Sequence, residues 1–87
     1  MNNDIDKFKK RLIYRSQYRG TKEMDKLIGS FVEIYINQFS INELKELEKF
    51  LDIDDDTLYK FYNDQQVNID ISTSKISSLF KKFKYNN

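Results

Sequence analysis

Apolar residues return at the three- and four-residue spacing of an α-helix in run after run of this chain, and very little between the runs can force a sharp turn. There is no proline, and Gly20 and Gly29 are the only glycines. A chain with so little backbone punctuation must turn at a few marked places. Gly20, lying between two periodic segments, is the strongest of them, and it reads as the junction of two helices.

Ahead of Gly20, the residues Ile5, Phe8, Leu12 and Ile13 describe one face of a helix that starts near Asp4 and runs toward Arg19. Lys7, Lys9, Lys10 and Arg11 occupy much of its remaining surface. Such a run is ordinarily a solvated face; its functional reading is a rim that meets an acidic partner. Behind the junction, Thr21 is placed to cap a second helix, with Glu23 and Asp25 in the first turn, where the helix dipole favours carboxylates. Met24, Leu27, Ile28, Phe31 and Tyr35 continue it, and Val32, Ile34 and Ile36 widen its apolar coverage, so this helix should be the most buried. Gly29 sits inside it at a cost of about 1 kcal/mol relative to alanine, which points to close approach of a neighbouring helix.

Ser40 and Glu43 form a capping-box pattern, and Phe39 with Leu44 has the spacing of a hydrophobic staple, so a third helix starts here. Leu44, Leu47, Phe50 and Leu51 face inward, and the helix ends near Asp52 or Ile53. Asp54, Asp55 and Asp56 lack the alternate spacing, the glycine and the closing glutamate of a calcium loop, and read instead as the cap of a fourth helix carrying Leu58, Phe61 and Tyr62. A polar loop over Asn63 to Asn68 precedes a last helix from about Ser72. There Ile76, Leu79, Phe80 and Phe83 form the stripe, and Lys81, Lys82 and Lys84 suit a helix C-terminus. A strand at Val67, Ile69 and Ile71 is the one competing reading. The expected fold is all-α, a compact bundle of five short helices in a single domain over residues 1–87.

Composition narrows the chemistry. With no cysteine and no histidine, the chain lacks a thiol nucleophile, thiolate metal ligands, and the commonest general base and zinc ligand. A net charge of +1 gives no general attraction to nucleic acid. No apolar run reaches membrane-spanning length, and the start MNNDIDKFKK resembles neither a signal nor a transit peptide. The expectation is a soluble protein of a bacterial cytoplasm.

The pattern Arg11-Leu12-x-Tyr14-x-Ser16-x-x-Arg19-Gly20-x-x-Glu23-x-Asp25-x-Leu27, followed by Phe31, resembles the signature of the succinate dehydrogenase assembly factor 2 family, the flavinators. The likeness extends through the Ser40 helix start and the acidic turn into Leu58-Tyr59-x-Phe61, with Tyr18, Asp56 and Phe61 standing where members usually carry a basic residue, a proline and a tryptophan. The resemblance implies a five-helix bundle whose Arg-Gly-x-x-Glu core joins the first two helices. It also implies binding to the flavoprotein subunit of succinate dehydrogenase, in bacteria also fumarate reductase, and promotion of covalent FAD attachment there. FAD would then be carried by the client and not held tightly by this chain, which has no glycine-rich phosphate loop. The partner-binding positions so implied are Arg19, Gly20, Glu23 and Asp25, surrounded by Tyr14, Arg15, Ser16 and Tyr18.

From spacing alone, an internal surface ion pair of Arg19 with Glu23 is the favoured reading over partner binding, an order that the resemblance reverses, and Tyr14 reads evenly as core or interface. The free protein is expected to be a monomer without membrane insertion or catalytic residues. Two other classes compete: a nucleic-acid module using the basic first and last helices, which the near-zero net charge opposes, and an acid–base enzyme using Glu23 with Asp25, whose side chains leave the helix on different faces.

Overall fold

Four of the five helix starts are set by a side-chain oxygen accepting a backbone N–H. In the computed structural model, which describes residues 3–67 and 74–84, α1 spans Asn3–Gln17, α2 Lys22–Tyr35, α3 Ile41–Leu51, α4 Asp55–Tyr62 and α5 Lys75–Lys82, and a 3-10 turn at Ile36–Gln38 extends α2. Thr21 Oγ1 accepts from the Met24 N–H, Asp54 from Thr57, and Ser74 from Ser77. At Ser40 both halves of the capping box form: the Glu43 N–H donates to Ser40 Oγ at 3.2 Å, and the Ser40 N–H donates to Glu43 Oε1 at 2.8 Å. The described residues contain no strand. Of the competing strand segment, Val67 packs on the core without pairing, and Ile69 and Ile71 lie outside the described residues, as does the expected helix start at Ser72.

α1 lies on α2 and α3, and α5 on α3 and α4. The centre is aromatic. Phe31 of α2 is fully buried, with ring centroids 5.3 Å from Phe80, 5.6 Å from Phe83 and 6.4 Å from Phe50. Edge-to-face and tilted contacts of this kind add to the burial of area, so one α2 residue joins α3 to α5. Gly29 does what its position suggests: a Cβ there would stand 3.0 Å from Gln17 Cγ and 3.5 Å from the Ser16 carbonyl, so the last turn of α1 rests on the backbone of α2. One α2 expectation is corrected. Ile34 is 56% exposed, because it lies two residues from both Val32 and Ile36 and so points away from the face they bury.

Two caps carry a pH dependence. The Lys75 ammonium, 2.8 Å from the Glu43 carboxylate, and then the Ser40 N–H hold the Glu43 pKa below the usual range; Thr57, through its hydroxyl and its N–H, does the same for Asp54. Both folded-state values are depressed, so the stability they contribute is complete above the ordinary carboxylate pKa of about 4 and is lost as pH falls through the lower folded values. Acid titration by circular dichroism should therefore show the midpoint of thermal unfolding dropping below that pH, with a shallower drop in Lys75→Ala.

Candidate partner-docking corner

Gln17 ends α1, and the chain reverses through Tyr18, Arg19 and Gly20 before Thr21 caps α2. Gly20 has φ +121°, a conformation L side chains rarely adopt, while a Cβ built there would meet nothing within 4 Å. Backbone conformation, not space, requires the glycine, and the volume in front of it is open. Asp25 fixes the corner from within, its Oδ1 accepting the N–H groups of Arg19 at 2.5 Å and Gly20 at 3.3 Å.

Arg19 departs from the sequence-based expectation. Its side chain is only 8% exposed and turns into the molecule, where Nε donates to Asp55, Nη1 to the Leu51 carbonyl at 2.9 Å and Nη2 to the Ile53 carbonyl. Those carbonyls belong to the C-terminal end of α3 and the turn after it, groups a helix leaves without internal partners and where its dipole favours a cation. The guanidinium thus ties the corner to the α3–α4 turn and is not free for a bidentate contact with a partner. The expected neighbour relation between Arg19 and Glu23 is replaced by the Asp55 pair, formed across 36 residues of chain. Ser16 is corrected likewise: it is fully buried under α2, its hydroxyl donating to the Ile13 carbonyl at 2.7 Å. Arg15, partly exposed, pairs with Asp52.

Four of the eight expected positions remain on the surface: Tyr14, Tyr18, Gly20 and Glu23. Tyr14 and Tyr18, 64% and 66% exposed, stack on each other one helical turn apart with ring centroids 4.5 Å apart. Glu23 makes no hydrogen bond or ion pair among the described residues, and its exposed carboxylate diverges from Asp25, which faces inward to the corner. The two carboxylates therefore do not form an acid–base pair.

A feature absent from the sequence reading lies beside them, a groove of about 330 Å³ between the starts of α2 and α4, lined by Thr21, Glu23, Met24, Asp55, Asp56 and Tyr59. Tyr59 is 49% exposed. Its signal was its place one turn after Asp55, on the side of α4 away from Leu58 and Phe61. The arrangement is a rigid backbone corner flanked by three exposed tyrosines and an uncommitted carboxylate, a composition suited to protein recognition. No group of three metal-ligating side chains is found among the described residues, and none of the described helices is long and apolar enough to cross a membrane.

Residues 10–84 match the family described as the flavinator of succinate dehydrogenase. Among curated proteins, the chain is 35% identical over 82 residues to a protein of Lodderomyces elongisporus, covering 90% of this chain and 50% of that one. It is 33% identical over 75 residues to one of Penicillium rubens, covering 85% and 24%, and 32% identical over 82 residues to one of Caenorhabditis elegans, covering 91% and 69%. All three carry the name succinate dehydrogenase assembly factor 2, mitochondrial. The chain thus spans half or less of the length of the two fungal relatives. No solved structure matches it. The names overturn the expectation of a bacterial cytoplasmic protein, since these relatives are mitochondrial proteins of eukaryotes. An Asn-, Lys- and Asp-rich composition carries no cellular address.

Proposed function

From the premise that this chain belongs to the flavinator of succinate dehydrogenase family, we propose that it is an assembly factor that binds the flavoprotein subunit of succinate dehydrogenase and promotes covalent attachment of FAD to it. The observation that carries this reading is the surface at Gly20: an open backbone corner, held rigid by Asp25 and Arg19, with Tyr14, Tyr18 and Glu23 exposed around it. Pre-organisation matters because ordering a loop on binding consumes part of the interaction energy.

The chain contributes no histidine or cysteine to the attachment. The bond forms between cofactor and client, and the assembly factor acts by favouring a client arrangement in which the two are aligned, a shift limited by its differential affinity for that arrangement. FAD stays with the client throughout.

Glu23→Gln tests the surface with little risk to the fold. An exposed carboxylate without an internal partner should change stability by less than about 0.5 kcal/mol, while losing a charge-assisted contact to the client should weaken capture of the flavoprotein subunit roughly tenfold. Co-purification and in-gel flavin fluorescence in cells lacking the native protein read both consequences. Undiminished capture and fluorescence would place the contact elsewhere.

A further inference from the structure

At the far end of α1 from the Gly20 corner, about 15 Å along the helix, a second concave surface runs between α1 and α3. It is a cleft of about 840 Å³. Ile5, Phe8 and Ile41 form its apolar part, and the fold finishes burying none of them: Ile5 and Phe8 are only partly covered, and Ile41, at the first turn of α3, is 42% exposed. A first-turn position on a capped helix has no packing need for isoleucine. The Arg11 guanidinium stands over the Phe8 ring, 5.4 Å from its centroid, holding a cation inside the cleft.

The rim is charged with one sign in excess. α1 supplies Lys7 and Arg11 with Asp4, and α3 supplies Lys45 and Lys49 with Glu48, in a chain whose whole net charge is +1. Lys7, Lys45 and Lys49 form no ion pair among the described residues. Solvation alone would explain lysines on a helix surface, but not lysines of two helices lining one cleft with partly covered Ile5 and Phe8 and exposed Ile41.

We propose that this cleft is a docking site for an acidic protein segment that carries bulky apolar side chains. Ile5, Phe8 and Ile41 receive the apolar residues, and the lysines and Arg11 pair with the carboxylates between them. Glu48 favours a peptide over a phosphate-bearing ligand, because a carboxylate in the cleft offers an acceptor to the N–H groups that a peptide has and a phosphate lacks. The site goes beyond the flavoprotein reading and does not depend on it, since it shares no residue with the Gly20 corner.

The test is a titration of the isotopically labelled chain, followed by amide chemical shifts, with three twelve-residue peptides alternating glutamate with leucine, glutamate with serine, and lysine with leucine. The glutamate–leucine peptide should move the amides of Phe8, Ile41 and Lys49, and the other two should bind at least about tenfold more weakly. Lys45→Glu with Lys49→Glu should weaken the first peptide by about tenfold or more without altering the melting curve, as both side chains are exposed. Equal binding of the lysine–leucine peptide would overturn the proposal, as would shifts centred on Tyr14 to Glu23. So would a cleft that responds to phosphatidylglycerol vesicles, single-stranded DNA or self-association and not to the acidic peptide.

Discussion

Arg19→Ala will lose about 3–5 kcal/mol of folding stability, the largest effect expected of any single polar substitution in this chain. The change leaves Asp55 without its cation and strips the Leu51 and Ile53 carbonyls of their donors, all in a region where the arginine side chain is 8% exposed. In a domain of this size, each kcal/mol moves the melting temperature by roughly 4–8 °C, so thermal denaturation followed by circular dichroism reads the loss directly. Arg19→Lys should recover only part of it, because one ammonium cannot reproduce three donors directed at Asp55, Leu51 and Ile53. A melting temperature unchanged in Arg19→Ala would show that the tie does not form. The result also decides how binding data are read: failure of this variant to capture a client reports a collapsed corner and cannot count as evidence for an arginine contact.

The opposite profile is expected of Tyr14→Ala combined with Tyr18→Ala. Both rings are mostly exposed and touch chiefly each other, so stability should fall by no more than about 1 kcal/mol, the worth of an exposed aromatic pair. A tyrosine that serves as a hot spot in an interface contributes about 2 kcal/mol or more, so if the stacked pair is one, affinity for the flavoprotein subunit should drop by about thirtyfold or further, the loss of one such residue. Calorimetric titration of that subunit, beside a melting curve of each variant, separates the two quantities. Tyr14→Phe with Tyr18→Phe keeps the stack and should retain most of the affinity if area, not the hydroxyl groups, makes the contact. Undiminished affinity in the alanine pair would remove the α1 end from the docking surface.

These two variants mark where the sequence was transparent. Helix starts were legible because a cap is a local event: Thr21, Ser40 and Asp54 each satisfy an N–H three residues on, and the structure has all three. Apolar stripes were equally plain, since Leu27, Phe31, Leu47 and Phe80 follow the helical period into the core. Gly20 is legible as a conformational position, and its φ of 121° is one that glycine alone adopts readily. The direction in which Arg19 points was not legible, because its three partners lie more than thirty residues away and no local spacing records them. The choice between Arg15, which meets Asp52, and Arg19, which meets Asp55, depends on how α3 ends against the corner. The burial of Ser16 is illegible for a related reason. Its burial follows from the close approach permitted by Gly29 on another helix, and in sequence it looks like any polar residue near a helix end.

The Arg19 tie has a consequence for the order in which the molecule matures during synthesis. Residues 18–25 leave the ribosome well before Asp55 does, and Asp25 can hold their backbone from within, yet the Arg19 side chain finds its oxygens only at Leu51, Ile53 and Asp55. A nascent chain that carries α1 and α2 alone therefore holds the family motif with its arginine still untied. On the proposed reading of the corner, capture of the client begins only once the fourth helix has started.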